Sequence, residues 1–235
     1  MKTCTLMSLL LLHVLACSSE SEVTPTSSLH LSAWATGSDR GRIDVLVYLD
    51  NVSAPPGDHH ALESGDSLAA TLRGSAKELM WFNPSFAASY FSVSFNVQAM
   101  QGDRVGVELH RETDVDAVGS YAEIPAPLVV SPIPATVSRA QSMTVRWEPG
   151  IEGDRVSWNV DGDCVSTITR GGESDPAGTL TIDPVQLYSS NDETCTATLE
   201  LVRSHTGTVD PAFINAGLDT MWGEWKTELT FTSTP

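Results

Sequence analysis

Apolar side chains recur at every second position through most of this chain, and that period leaves little room for any element but the β-strand. Leu29, Leu31, Ala33 and Ala35 share one face, Ile43, Val45, Val47 and Leu49 repeat it, and Leu68, Ala70 and Leu72 follow. The longest run is Phe91, Val93, Phe95, Val97 and Ala99, with Tyr90, Ser92, Ser94 and Asn96 on the opposite face. Val105, Val107 and Leu109 come after a Gln101-Gly102-Asp103 turn. Successive side chains point to opposite sides of a strand, whereas a helix gathers residues three and four apart. Each run therefore predicts a half-buried strand. Glycine and proline fall between the runs, at Pro55-Pro56-Gly57, Gly65, Gly74 and Pro84, where turns need them. A meander with turn signals at this spacing predicts a β-sandwich. No helix of normal length is required, and the best candidate, residues 76–80, is too short to matter.

A junction interrupts the meander. Ile124-Pro125-Ala126-Pro127 and Ser131-Pro132-Ile133-Pro134 crowd prolines into a stretch where strand interiors would exclude them, which places a domain boundary near residue 126. Alternation then resumes. Met143, Val145 and Trp147 lead to Glu148-Pro149-Gly150, and Val156, Trp158 and Val160 follow a Glu152-Gly153-Asp154 turn. A strand ending in tryptophan and a proline-containing turn, then a strand of alternating aromatic and aliphatic residues, resembles strands B and C of fibronectin type III domains. The resemblance covers roughly residues 127–235. It departs from that family in carrying Cys164 and Cys195 and in lacking a clear counterpart of the usual strand F tyrosine. Leu180 and Ile182, then Ala197, Leu199 and Leu201, then Leu229 and Phe231 supply the remaining strands. The expected class is all-β, with two immunoglobulin-like sandwich domains in tandem, 29–126 and 127–235. The halves share strand spacing but no residue repeat.

The first residues say where such a body would be held. Lys2 opens the chain, an apolar core runs from about Leu6 to Leu15, and Ser18-Ser19-Glu20 ends it. A bilayer span needs roughly 20 apolar residues, so this is a secretory segment rather than a transmembrane helix. Val14-Leu15-Ala16-Cys17 resembles the lipobox of bacterial lipoprotein precursors. In that family the cysteine sulfur receives diacylglycerol, the preceding bond is cut, and the new amino terminus is acylated. The resemblance implies a signal peptide at 1–16 and lipidation of Cys17, with the membrane as a partner through that lipid. Several acyl chains anchor firmly where one is marginal. Ser18 stands where aspartate commonly retains Gram-negative members at the inner membrane, so the resemblance leans toward the outer membrane. Residues 17–28, polar and short of bulky apolar groups, are expected to be a flexible tether. The whole-chain pattern resembles that of uncharacterised bacterial lipoproteins, which implies no activity.

With Cys4 lost in the signal and Cys17 lipidated, Cys164 and Cys195 remain. In an oxidising envelope they are expected to bridge, and closing a loop of about thirty residues would stabilise by roughly 3 to 4 kcal/mol in the chain-entropy model. Zinc would want four ligands in close pairs, which neither cysteine has. The chain carries 13 basic and 30 acidic residues, a formal charge of −17. Loss of residues 1–16 removes one lysine and no acid. That balance repels nucleic acid and anionic lipid, so neither is expected to bind the folded part.

Chemistry-bearing motifs are sparse. Asn159-Val160-Asp161-Gly162-Asp163 begins like an EF-hand loop, but Cys164 stands where glycine is required and Arg170 where the final glutamate belongs. Calcium bound by looser acidic loops, for example around Asp114 and Asp116, is set against ordinary solvated turn acids. His59 and His60 are adjacent in a loop and point opposite ways in an extended chain; His110 and His205 have no visible partner in the sequence. Gly-x-Ser-x-Gly, Ser-x-x-Lys and His-Glu-x-x-His are absent. No catalytic residue, metal ligand or cofactor is therefore assigned. The long irregular connection from Thr206 to Gly223 stands apart, because such connections are often functional. Phe213, Trp222 and Trp225 either form an aromatic surface for a glycan or a peptide, or cap the sandwich and are buried. Leu79-Met80-Trp81-Phe82-Asn83-Pro84 invites the same two readings. The expectation is a lipid-anchored envelope protein with a non-catalytic binding or structural role, its loops presented to an envelope protein, a glycan or an extracellular ligand, and with no specific function assigned. The alternative is an enzyme accessory or a hydrolase with a hidden site.

Overall fold

Period-two alternation becomes strands almost wherever it occurs, because each run buries one face and leaves the other to water. A computed structural model describes residues 23–51, 61–84, 88–167, 171–174, 178–189, 192–213 and 219–235. The segment expected to be a signal, Cys17, the start of the expected tether and both His59 and His60 lie outside these residues. The first half holds β1 (Leu29–Ser38), β2 (Arg42–Asn51), β3 (Ser67–Leu72), β4 (Ser75–Glu78), β5 (Met80–Phe82), β6 (Tyr90–Phe95), β7 (Arg104–His110) and β8 (Ala117–Glu123). After the prolines come β9 (Val129–Val130), β10 (Thr136–Ser138), β11 (Met143–Glu148), β12 (Arg155–Gly162), β13 (Val165–Thr167), β14 (Gly171–Ser174), β15 (Thr179–Ile182), β16 (Leu187–Ser189), β17 (Cys195–Thr206) and β18 (Thr220–Thr234). Helical structure among the described residues is confined to single turns at Thr26–Ser28 and Pro184–Gln186. The chain is all-β. The short helix candidate at 76–80 is instead extended, in β4 and β5, held by main-chain pairing to β3 and β6.

One long sheet organises the molecule. Its strands run β16-β13-β12-β17-β18-β1-β2-β6-β5, with β10 beside β18 and β14 beside β12. A sheet of β4-β3-β7-β8 and a sheet of β15-β11-β9 complete the layers. Buried apolar residues form two clusters. The first gathers Leu29 to Ile124 together with Phe213, Met221 and Trp225; the second gathers Leu128 to Leu201 together with Phe231. Trp147 and Trp158, which carry the fibronectin-like pattern, both belong to the second cluster, on β11 and β12 of different sheets.

β18 serves both clusters. Its residues 220–226 pair in parallel with β1, from Ser32↔Thr220 to Ser38↔Lys226, while 222–233 pair antiparallel with β17. Inward residues of β18 pass from Met221 and Trp225 in the first cluster to Phe231 in the second. Gly223 makes the passage possible. A Cβ at that position would stand 1.9 Å from the Glu123 carbonyl oxygen, so only glycine admits the chain that leaves β8. Arg203 of β17, wholly buried, seals the same junction by donating to the Ala126 carbonyl at 3.0 Å and to the Pro149 carbonyl.

Two clasps fix the ends. Cys164, after β12, is disulfide-bonded to Cys195 at the start of β17, with Cα atoms 5.8 Å apart. Arg139 lies over that bridge, its guanidinium reaching Cys164 Sγ and Ser233 Oγ at 3.1 Å each and the Glu193 carbonyl at 2.9 Å. At the other clasp the expected tether is shorter than the sequence suggested. Thr26 is buried. Its N–H donates to Asp114 at 2.5 Å, its hydroxyl donates to the Val115 carbonyl at 2.8 Å, and Arg111 donates to the Thr24 carbonyl at 2.8 Å. Small polar residues lack apolar surface, but here buried charge supplies their partners, so the tail from Thr24 onward docks rather than swings.

Candidate functional site

Among the described residues, the outer face of the long sheet gathers aromatic and charged side chains that the alternation hid. Even-numbered positions of β1, β2, β6 and β18 point away from the core, and several are aromatic where a solvent face would be polar. Trp34 of β1 is registered with Trp222 of β18. Trp34 meets Tyr48 of β2 edge to face, with ring centres 5.8 Å apart and planes at 87°. Tyr48 meets Tyr90 of β6 at 6.1 Å and 58°, and Tyr90 stacks on Phe82 of β5 at 5.5 Å and 18°. Five rings thus cross five neighbouring strands. The first four are half-buried and Phe82 is 43% exposed. At about 4.8 Å between strands the row extends roughly 19 Å.

A polar floor adjoins the row. Thr36 Oγ1 donates to Glu224 at 2.8 Å, and Ser94 Oγ donates to Asp44 at 2.5 Å. Arg42 pairs with Asp44 at 2.8 Å, while Lys226 pairs with Glu200 and with Glu228. Burial, helped by the nearby Glu200, raises the Glu224 carboxyl above its usual range against the opposing pull of Thr36 and Lys226. For Lys226 burial acts to lower the ammonium, but hydrogen bonds to Glu200 and Glu228 outweigh it and the net direction is upward. Rings and floor border a groove of about 670 Å³ whose walls include Trp34, Tyr48, Tyr90, Asn159, Glu200 and Glu224. That volume is ordinary for a small-ligand or oligomer site. The groove spans β12 to β6, and the continuous sheet makes it a single surface.

The residues singled out from sequence are placed as follows. Phe213 and Trp225 are each 3% exposed and pack in the first cluster, so of the two readings burial holds for them, while Trp222 stays half-buried on the outer face. Alternation carries odd-numbered Trp225 inward and even-numbered Trp222 outward along the same strand. The irregular connection is also shorter, because β17 continues to Thr206 and β18 begins at Thr220. Of the second aromatic segment, Trp81 turns inward onto Phe91 with centres 4.6 Å apart, while Phe82 joins the outer row. Sequence reading missed Trp34 and Tyr48. The available signal was an aromatic residue at the outward position of an alternating run, as at Tyr90.

Both histidines expected to be solitary have carboxylate neighbours. His205 Nδ1 lies 2.6 Å from Asp154, and His110 Nδ1 lies 3.4 Å from Asp116. No hydroxyl completes the His205 pair among the described residues. Asp114 and Asp116 serve the fold: backbone N–H groups of Thr26 and Val115 hold the Asp114 carboxyl low, and the Arg111 N–H holds that of Asp116 low. No group of three or more histidine, cysteine or acidic residues is arranged to hold a metal ion among the described residues. No helix among them is long and apolar enough to cross a membrane.

No known protein family matches the chain, and no curated protein does. Solved structures that overlap it include the mouse nectin-like molecule 4 ectodomain (Ig1–Ig3), at 10% identity over 89% of this chain and 65% of that one, TM-score 0.28. A three-Ig titin fragment, I67–I69 in an E-to-A variant, gives 7% identity over 88% and 64%, TM-score 0.26. Murine CEACAM1b gives 10% identity over 87% and 99%, TM-score 0.21. The chain spans slightly under two thirds of the first two. Overlap at these scores carries nothing about ligand or role.

Proposed function

We propose that this chain is a lipid-anchored protein of the bacterial cell envelope that binds a partner, without catalysis, through the outer face of its long sheet. The observation that carries the reading is the row Trp222, Trp34, Tyr48, Tyr90 and Phe82 on a face bordered by a polar groove. Outward aromatic rings in such number cost solubility on a free surface and are characteristic of recognition sites. The anchor rests on Val14-Leu15-Ala16-Cys17, and Ser18 favours the outer membrane. With the tail docked from Thr24, the seven residues from Cys17 reach at most about 25 Å. The first half therefore stays close to the bilayer, and β18 carries the disulfide end away from it. The division into bodies at 29–126 and 127–235 is part of this proposal, with β18 lent to the first.

Cys17→Ser tests the anchor: the variant leaves the membrane fraction and loses palmitate labelling, and unchanged labelling refutes it. Capture of solubilised envelope material by the mature chain tests the face. Trp34→Ala with Tyr90→Ala abolishes capture, and full retention by that folded variant refutes the assignment.

A further inference from the structure

The groove holds more than an apolar shelf, and its chemistry narrows the ligand. We propose that it takes a single uncharged polysaccharide chain, laid across the strands so that successive sugar units meet successive rings. This rests on the sheet face being the binding surface. Spacing is the first support. Neighbouring strands stand about 4.8 Å apart, close to the length of one pyranose unit, so a chain that follows the groove across β18, β1, β2 and β6 and continues beyond it over Phe82 of β5 advances about one unit per strand. The apolar C–H face of each sugar packs on a ring, and its hydroxyls turn to the floor.

Ring orientation is the second support. Planes at 87°, 58° and 18° along the row make a serrated surface. A flat crystalline polymer needs coplanar rings, whereas a lone chain that twists between units meets rings of changing tilt.

Charge is the third. Asp44 is paired with Arg42, Glu200 and Glu228 share Lys226, and Glu224 accepts a hydroxyl hydrogen bond from Thr36. Few free anions remain to hold a basic peptide. An acidic body of formal charge −17 repels an anionic polymer. Paired carboxylates, Thr36, Ser94 and Asn159 instead supply the mixed donors and acceptors that a polyhydroxyl ligand needs.

The test is calorimetric titration of the full mature chain with neutral hexasaccharides of glucose, N-acetylglucosamine and mannose, and with a heparin hexasaccharide. At least one neutral chain binds, heparin does not, and Trp34→Ala with Tyr48→Ala weakens binding by roughly tenfold or more. Val118→Ala, on the exposed side of β8 and away from the row, keeps binding. No heat with any neutral sugar, tighter binding of heparin, or ring variants that bind sugar normally would each overturn the inference. Loss of envelope capture in ring variants that accompanies silence toward all the sugars would refute the ligand class while leaving the face intact. Unchanged envelope capture would remove the face as well.

Discussion

Removing the Cys164–Cys195 bridge should lower the melting temperature of the whole molecule, in one step. The bridged residues are 31 apart in sequence, and the chain-entropy relation for a loop of that size amounts to about 3.7 kcal/mol of stability. For a protein of this length roughly 2–4 °C accompany each kcal/mol, so the expected fall is about 7–15 °C. Arg139 keeps Ser233 and the Glu193 carbonyl when its sulfur contact is lost, so little should be added to that figure. The single step follows from β18. If the second cluster melts, the strand carrying Met221 and Trp225 loses its antiparallel partner, and the first cluster loses a wall. Scanning calorimetry of Cys164→Ala with Cys195→Ala, alongside the native chain with and without reductant, measures both quantities. A shift under about 2 °C would refute the entropic argument. A profile split into two transitions, only one of them moved, would refute the coupling through β18.

Arg111→Ala should cost roughly 3–5 kcal/mol, because it strands Asp66, whose side chain is 3% exposed and lies 2.8 Å from the guanidinium. Amide exchange at Thr24 and Thr26 should quicken in the same variant, and unchanged protection there would dispose of the clasp. Gly223→Ala should destabilise by about 1–3 kcal/mol or more, since its Cβ meets backbone that no rotamer can move aside; a urea midpoint equal to that of the native chain contradicts this. Glu224 has a pH signature. Its folded pKa is raised, chiefly by burial, from an ordinary value of 4.5, so the stability tied to its neutral form is present below that value and is lost as pH climbs through the raised one. Glu224→Gln removes the loss, and the native-minus-variant difference in melting temperature should turn downward above about pH 4.5. A difference flat across pH 4 to 8 counts against a buried carboxyl.

The strands were legible because burial on one side of a pleated sheet writes itself as period two. Leu29 to Ala35, Ile43 to Leu49 and Val105 to Leu109 each occupy the predicted strand with the predicted face inward. The disulfide was legible by elimination of the other cysteines. The shared strand was not. Gly223 breaks the apolar run between Met221 and Trp225, and its reason lies across space, in the Glu123 carbonyl. The docked tail was misread because Thr24 and Thr26 look solvated until Arg111 and Asp114 are seen beside them. The ring row escaped for a related cause. Trp34, Tyr48, Tyr90 and Trp222 sit on separate strands, and only register shows that they adjoin.

The outer face of the long sheet, as the surface that meets the ligand, is tested most directly by photocrosslinking in intact cells. Leu46 stands at the centre of that face, among the groove walls, and Val118 lies 48% exposed on β8 of the β4-β3-β7-β8 sheet. With a benzophenone side chain placed at one or the other, adducts should form from position 46 and not from position 118. Equal labelling, or adducts from position 118 alone, would contradict the account.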